Sequence, residues 1–231
     1  VILVKLLSTA GTGTFYARSR PRLSPKLSMI KYDPSLGDSD AKWVSLQRLV
    51  YRDHHGEERV WECANRRTRT GVCDAAIIVP ILRTSTERRI VLVRQFRPPV
   101  GKVCVEFPAG LLDPSESAEE TALRELKEET GYVGRVLHTS PVVYSDPGFS
   151  GANLQYVYVD VDGTRPENEH PAATPDSGEN IDVVTVPLAD LAKTLQGYID
   201  EDMAVDARLQ TFADTATFLA MPNGPLTAQT T

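Results

Sequence analysis

The sequence predicts an α/β fold, and three observations support that prediction. Runs with the length and composition of strands occupy residues 74–82, 88–96, 102–107, 152–161 and 181–186. One clearly delimited helix lies among them at residues 118–130, and helical patterns follow at residues 188–197 and 205–219. Many strands around one central helix, followed by terminal helices, are expected to pack as helices on a sheet. With 231 residues, 41% of them hydrophobic, the chain can form one substantial core and a small accessory unit.

Residues 1–40 differ in composition from the rest of the chain. Six basic residues and no acidic residue precede Asp33. We predict a flexible basic extension here. Such a start is typical of a mitochondrial transit segment, and a disordered extension or translated upstream sequence is an equal alternative.

Residues 41–72 predict a small N-terminal antiparallel β unit. Strand-like runs at residues 42–53 and 57–66 flank the turn sequence His54-His55-Gly56, which is the pattern of a β-hairpin. The main domain is expected over residues 73–220, followed by a flexible tail at residues 221–231.

The helix at residues 118–130 is delimited at both ends. Ser117 begins a capping box that is completed three residues later, and Gly131 stands where a left-handed C-terminal cap belongs. Apolar residues that recur at spacings of three and four are expected to face the core; they are Ala122, Leu123 and Leu126.

Three carboxylates, Glu125, Glu128 and Glu129, share another side of this helix. Like charges at these spacings destabilise a helix by about a few tenths of a kcal/mol per pair, so helix propensity does not explain them. A divalent cation would remove the repulsion. Oxygen ligands without His or Cys nearby favour Mg²⁺, or Mn²⁺ as a substitute, over zinc. A solvated acidic helix face is the alternative.

Composition argues against several classes of protein. The net charge of −6 disfavours a nucleic-acid polymer as partner, because such binding needs a basic face. Three cysteines leave an odd count and favour a reducing compartment. No apolar run is long enough to span a membrane. We expect a cytoplasmic protein, or a mitochondrial one if residues 1–31 are a transit segment; a nuclear location stays open.

The helix and the loop before it resemble the Nudix box. This motif reads Gly, five residues, Glu, seven residues, Arg-Glu, an aliphatic residue, any residue, Glu-Glu, any residue, Gly and an apolar residue. Its positions are filled here by Gly110, Glu116, Arg124, Glu125, Leu126, Glu128, Glu129, Gly131 and Tyr132. Tyr132 is the one less usual residue, because an aliphatic side chain is commoner there. So many constrained positions in the right order identify the chain as a member of the Nudix hydrolase family.

The resemblance implies an α/β/α sandwich with a mixed sheet, and Mg²⁺-dependent hydrolysis of a nucleoside diphosphate linked to another moiety. Arg124 is expected to orient a box carboxylate through a bidentate pair. The groups expected to hold the metal are the carbonyl of Ala109 and the carboxylates of Glu125, Glu129, Glu128 and Glu116.

From residue 42 to about residue 213 the chain is similar to the eukaryotic ADP-sugar pyrophosphatases of this family. The similarity is carried by "WVSL", "RVWECANR", "VRQFRPP", "CVEFPAGLLD", "SDPGFS", "SGEN" and "VDAR". It implies ADP-ribose as the substrate, cleaved by water to AMP and ribose 5-phosphate. Another ADP-sugar or an oxidised nucleoside diphosphate is an alternative substrate, and a sensor that binds ADP-ribose without turnover is an alternative function.

The same resemblance implies a nucleotide site. Trp43 and Trp61 are expected to stack on adenine, one from each subunit of a homodimer, although a buried core position is the ordinary alternative for Trp. The remaining contacts are expected from Glu62 on the adenine side, Arg66 at a ribose or phosphate, Arg97 at a phosphate, and Leu111 and Asp146 on the ribose side.

Glu179 ends the long polar loop at residues 163–179. A loop of this length is usually either functional or disordered. In the relatives the glutamate at this place acts on the attacking water, as general base or as its orienter. Glu179, Glu125, Glu129 and Arg124 therefore form the expected catalytic set.

Overall fold

The computed structural model describes residues 2–7, 15–20, 40–69, 71–176 and 178–221. The chain divides into two compact units, residues 1–42 and residues 43–231. In the first unit, strands β1 (Ile2–Leu7) and β2 (Phe15–Arg20) pair antiparallel. The flexibility expected of residues 1–40 stays a prediction, and most of the expected tail, from residue 222 on, lies outside the described residues.

The second unit contains the remaining strands and the helices. Its strands are β3 (Val44–Arg52), β4 (Glu58–Arg66), β5 (Ala75–Arg83), β6 (Arg88–Arg97), β7 (Lys102–Glu106), β8 (Ala109–Leu111), β9 (Arg135–Thr139), β10 (Val143–Tyr144), β11 (Asn153–Asp162), β12 (Ile181–Pro187) and β13 (Ala204–Val205). Its helices are α1 (Ala118–Thr130), α2 (Pro166–Glu169), α3 (Leu191–Asp200) and α4 (Ala207–Ala220).

Nine of these strands form one mixed sheet. Its main path runs β10-β11-β5-β6-β7-β13, while β12 pairs with β6, β8 with β5, and β9 with β11. Strands β11 and β5 run parallel, from Leu154 opposite Ala75 to Asp162 opposite Arg83, whereas β5 and β6 run antiparallel. Strand β5 is apolar on both faces because both faces of the sheet are covered.

Alternate residues of β5 belong to different cores. Ala76 and Ile78 lie in the core beneath α1, and Ile77 and Val79 lie in the core on the other face, beneath α3 and α4. The core beneath α1 also contains Tyr132, so the unusual residue of the box fills an apolar position. These layers confirm the predicted α/β/α arrangement.

Strands β3 and β4 form a separate two-stranded antiparallel sheet, which confirms the predicted β unit. Its turn is closed by Asp53, whose carboxylate accepts hydrogen bonds from the backbone N–H groups of His55 and Glu57. The hairpin contacts the loop at residues 145–152, where the Ala64 backbone N–H donates to the Phe149 carbonyl at 3.1 Å.

Helix α1 has the caps that the sequence predicts. The Ser117 hydroxyl accepts from the Glu120 backbone N–H, the Glu120 carboxylate accepts from the Ser117 backbone N–H, and Gly131 has φ of 77°. The core prediction was wrong at Leu123, which is exposed while Ala122 is fully buried. Successive residues lie about 100° apart around a helix, and this step carries Leu123 off the buried face.

Candidate active site

The site is built where strand β8 passes in front of helix α1. Strand β8 pairs with β5, so that Ala109 lies opposite Ile77 and Gly110 opposite Ala76. The Glu125 carboxylate lies directly against Gly110: a Cβ at Gly110 would stand 2.0 Å from Oε1 of Glu125. Glycine suits this box position because the Glu125 carboxylate occupies the space that a larger side chain would take.

Arg124 connects three carboxylates of the box. Its Nε and Nη2 donate to the two oxygens of Glu116 at 3.0 and 2.9 Å, and its Nη1 donates to Glu125 at 2.8 Å and to Glu128 at 3.0 Å. The guanidinium lowers the pKa of Glu116 to about 2. Because both terminal nitrogens of Arg124 donate hydrogen bonds to box carboxylates, this side chain orients those carboxylates.

Glu129 is the buried member of the acidic group. It is 4% exposed, and its Oε2 accepts a hydrogen bond from the Ala109 backbone N–H at 3.1 Å. Burial, together with the nearby Glu125 and Glu179, raises its pKa to about 8. Burial also raises the pKa of Glu125, against the opposing effect of Arg124. In the protein alone, simultaneous ionisation of Glu125 and Glu129 is therefore unfavourable.

A divalent cation fits the chemistry of these donors. The carboxylates of Glu125, Glu128 and Glu129 supply only oxygen ligands, as Mg²⁺ and Mn²⁺ prefer. Within the described residues, no three acidic, His or Cys side chains converge as a ready ligand set. The reason is visible in the hydrogen bonds, since Arg124 holds two of these carboxylates and Ala109 holds the third. A bound cation would compete with these hydrogen bonds for the same carboxylates.

A polar cleft with a volume of about 540 Å³ opens beside the box. It contains both signs of charge. The charged side chains that line it are Arg66, Arg97, Arg124, Arg208, Asp113, Glu125, Glu128, Asp176 and Glu179.

The loop that carries Glu179 is hydrogen-bonded to the C-terminal end of α1. The Thr174 backbone N–H donates to the Glu128 carbonyl at 2.8 Å. At Gly131, a Cβ would stand 2.4 Å from the backbone nitrogen of Ala172, so the loop passes directly over the helix cap. Glu179 itself is exposed in the cleft. The loop that leads to Glu179 therefore packs directly against the C-terminal end of the box helix.

Most of the predicted site residues meet at this cleft. Those that line it are Ala109, Glu125, Glu128, Arg124, Glu179, Arg66, Arg97 and Leu111. Glu116 and Glu129 lie behind it, joined to it through Arg124 and Ala109. The other four predicted residues are not among its lining residues; they are Trp43, Trp61, Glu62 and Asp146.

The two tryptophans are not core residues. Trp43 is 68% exposed and Trp61 is 48% exposed, so the ordinary core alternative for these side chains was wrong. The Trp61 indole N–H donates to the Gly148 carbonyl at 3.0 Å, which fixes the edge of the ring and leaves much of its surface open. Glu62, the next residue along β4, is exposed as well.

Two charged residues, one in the cleft lining and one behind it, have no role in the sequence-based prediction. Glu106 on β7 binds Arg97 through both carboxylate oxygens, with contacts of 3.1, 3.0 and 2.5 Å. Arg208 lies in the first turn of α4 and lines the cleft. An acidic residue within the apolar run "CVEF" was a usable signal for Glu106, and the "VDAR" segment contains Arg208.

Comparisons with known proteins agree with this arrangement. The family model described as the NUDIX domain matches residues 73–205. The ADP-ribose pyrophosphatase of Saccharomyces cerevisiae is 43% identical over 178 residues, covering 76% of this chain and 77% of that protein. The ADP-sugar pyrophosphatase of Mus musculus is 40% identical over 177 residues, covering 75% of this chain and 81% of that protein.

Two further matches differ in kind. The crystal structure of an ADP compounds hydrolase has a TM-score of 0.56 and 21% identity, and covers 77% of this chain and 88% of that one, which supports the fold. A short match of 35 residues, 71% identical, is to the large ribosomal subunit protein bL33m of Schizosaccharomyces pombe; it covers 15% of this chain and 64% of that protein.

No helix among the described residues has both the length and the apolar character needed to cross a membrane. The domain match covers more than half of the chain, and the box residues meet in one cleft. This chain belongs to the Nudix hydrolase family.

Proposed function

We propose that this chain hydrolyses the pyrophosphate bond of ADP-ribose to AMP and ribose 5-phosphate, with water as the nucleophile. The observation that carries the proposal is the cleft itself, which joins the box carboxylates, Glu179 and several arginines. The names of the yeast and mouse relatives, an ADP-ribose and an ADP-sugar pyrophosphatase, support the choice of substrate. Another ADP-sugar is the second candidate because the mouse name covers the wider class.

The proposed cofactor is Mg²⁺, with Mn²⁺ as a substitute. The groups that would hold it are the carboxylates of Glu125, Glu129, Glu128 and Glu116 and the carbonyl of Ala109. When bound, the cation supplies charge neutralisation of the pyrophosphate oxygens and increases the acidity of water. The raised pKa of Glu129 supports this assignment, because a bound cation would offset the cost of ionising that buried carboxylate.

The protein groups have separate tasks in the proposed reaction. A carboxylate oxygen of Glu179 accepts the proton of the attacking water or orients that water. Arg97, held by Glu106 through two carboxylate oxygens, presents its guanidinium to a phosphate. Arg124 orients the box carboxylates that would hold the cation.

The adenine is proposed to stack between Trp43 and Trp61 in a homodimer. Both rings are exposed in the single chain, and they sit on a hairpin with a large exposed apolar surface. Its apolar members include Leu46, which is 77% exposed, and the directly paired residues Val50 and Val60. A second copy of this chain would cover that surface and bring in the second ring. In this proposal, residues 41–72 serve dimerisation and adenine stacking, and residues 73–220 form the hydrolase domain.

The proposed compartment is the cytoplasm. The three cysteines, Cys63, Cys73 and Cys104, are all free thiols, as a reducing compartment favours. A mitochondrial location is the alternative if residues 1–31 act as a transit segment. Fractionation of cells that express the full chain distinguishes the two.

A substrate panel tests the proposal. Purified protein with Mg²⁺ is given ADP-ribose, ADP-glucose, NADH and 8-oxo-dGDP, and kcat/KM is measured for each. The proposal expects the highest value for ADP-ribose, with AMP and ribose 5-phosphate as the products. A higher value for 8-oxo-dGDP would overturn the substrate assignment while leaving a Nudix hydrolase. Tight binding of ADP-ribose without any turnover would favour a sensor.

A further inference from the structure

Arg208 lines the same cleft as Glu125 and Glu179 and has no role in the reaction proposed above. It stands in the first turn of α4, immediately after strand β13. Its position is therefore fixed by the main sheet and not by a mobile loop.

Asp206 holds the Arg208 guanidinium in one orientation. Nε of Arg208 donates to Oδ1 of Asp206 at 2.8 Å, and Nη2 donates to Oδ2 at 2.5 Å. The same carboxylate caps α4 by accepting from the Arg208 backbone N–H. Asp206 is tied to the sheet in turn, because its backbone N–H donates to the Val105 carbonyl at 3.0 Å. A bidentate pair of this kind fixes the plane of the guanidinium.

A second pair of the same kind lies beside the first. Strand β13 runs parallel to β7, with Val205 opposite Val105. Glu106 follows Val105 on β7 and holds Arg97 through both of its oxygens. The lining residues of the cleft include both Arg97 and Arg208 but neither of their carboxylate partners. Both arginines are thus held by carboxylates outside the cleft lining, and both line the cleft.

Arg208 keeps donors available for a ligand. A guanidinium carries five N–H groups, and Nε and Nη2 are the nitrogens that Asp206 engages. The Nη1 atom makes no hydrogen bond to any residue in the described ranges. Arg124 differs, because all three of its nitrogens are occupied by box carboxylates or the neighbouring backbone. The N–H groups of Nη1 can therefore donate to a phosphate oxygen, which guanidinium groups bind well.

We propose that Arg208 binds a phosphate oxygen of the diphosphate in this cleft, beside Arg97, and that Asp206 is its positioning residue. The inference rests on the proposed function, because the diphosphate is that of ADP-ribose. It makes Arg208 a binding residue for the part of the substrate that all ADP-sugars share. Loss of Arg208 therefore weakens ADP-ribose and ADP-glucose alike.

Binding of a non-hydrolysable analogue tests the inference without turnover. The probe is ADP-ribose with a methylene group between the two phosphorus atoms, titrated by calorimetry with Mg²⁺ present. Arg208→Gln is expected to raise its Kd by about 10- to 100-fold, the range for a hydrogen bond to a charged group. Arg208→Lys keeps the charge without the planar fork and is expected to restore part of the affinity.

Asp206→Asn tests the positioning role, because asparagine caps a helix as well as aspartate does. It is expected to raise Kd by a smaller factor than Arg208→Gln, while the protein stays folded at the assay temperature. The matched control is Arg83→Gln, which breaks a similar pair with Asp160 away from the cleft and is expected to leave Kd unchanged.

The outcomes separate the inference from the proposed function. An Arg208→Gln protein that binds the analogue as tightly as wild type overturns the inference, whether or not wild type hydrolyses ADP-ribose. A loss confined to ADP-ribose, with ADP-glucose kcat/KM unchanged, also overturns it, because Arg208 would then contact the sugar. A wild-type protein that fails to bind the analogue overturns both. Weaker binding in Arg208→Gln, together with a wild type that does not hydrolyse ADP-ribose, supports the site and rejects the activity.

Discussion

Replacement of Gly110 by alanine is expected to damage the proposed metal site without unfolding the protein. The new Cβ would stand 2.0, 2.1 and 2.2 Å from Oε1, Cδ and Cγ of Glu125. Each of these contacts needs to open by more than about 1 Å to reach ordinary van der Waals separation. The Glu125 side chain has rotatable bonds, so it moves in place of the backbone.

The expected loss of activity and metal affinity follows from the displacement of the Glu125 carboxylate. A displacement of about 1 Å at a reacting centre costs on the order of 100-fold in rate. Disturbing a group that orients metal ligands costs about 10- to 100-fold in metal affinity. The free energy of unfolding is expected to change by less than about 1 kcal/mol, because the strain is partly offset by the lower entropy of the unfolded alanine chain.

Three measurements on Gly110→Ala test this reasoning: Mn²⁺ affinity by calorimetry, kcat with ADP-ribose at saturating metal, and the melting temperature. Gly197→Ala is the matched control, because that glycine lies within α3 and a Cβ there meets nothing within 4 Å. The control is expected to gain about 0.5–1 kcal/mol of stability with unchanged metal affinity. Unchanged Mn²⁺ affinity and kcat in Gly110→Ala would refute the reasoning.

Three further predictions concern the fold, pH and the nucleotide. Gly131→Ala is expected to cost more than about 1 kcal/mol, because φ is 77° and the new Cβ meets the backbone of Ala172 at 2.4 Å; chemical denaturation measures this, and an unchanged midpoint contradicts the close packing. The raised pKa of Glu129, about 8 against an ordinary 4.5, means that the folded state keeps a proton that the unfolded state loses. Without metal, the free energy of unfolding should therefore fall as pH rises from about 4.5 to 8, by roughly 1–3 kcal/mol, and Glu129→Gln should remove the fall; an equal fall in the variant would locate it elsewhere. Trp61→Ala is expected to raise the KM for ADP-ribose by about 10-fold with kcat largely kept, since stacking on a base contributes about 1–3 kcal/mol, while Trp61→Phe retains most of the affinity; an unfolded Trp61→Ala protein would point to a structural role instead.

Helix α1 was the most predictable part of the fold because its signals are local. The capping box at Ser117 and the left-handed cap at Gly131 depend on residues within a few positions of one another. Sequence periodicity also placed Glu125, Glu128 and Glu129 on one side. Periodicity did not predict how deeply each carboxylate is buried. Glu129 is buried and hydrogen-bonded to the backbone of Ala109, 20 residues away, whereas Glu128 is partly exposed.

The arginine side of the cleft was less predictable, because the arginines and the residues that position them are distant in sequence or lie on different elements. Arg97 and Glu106 meet only because β6 and β7 pair antiparallel. Arg208 reaches the cleft only because β13 adds to the edge of the sheet through two paired positions, a strand too short to stand out in the sequence. The exposure of Trp61 likewise depends on the hairpin standing apart from the main sheet.

The most direct test of the account is product analysis by anion-exchange chromatography. Wild type, Glu125→Gln and the control Glu119→Gln, which alters a glutamate of the same helix outside the cleft lining, are incubated with ADP-ribose in Mg²⁺ or in EDTA. We expect AMP and ribose 5-phosphate from wild type and Glu119→Gln in Mg²⁺, and neither product in EDTA or from Glu125→Gln. Full activity in EDTA, or an unimpaired Glu125→Gln protein, would contradict the central claim that the box carboxylates hold a cation for pyrophosphate hydrolysis.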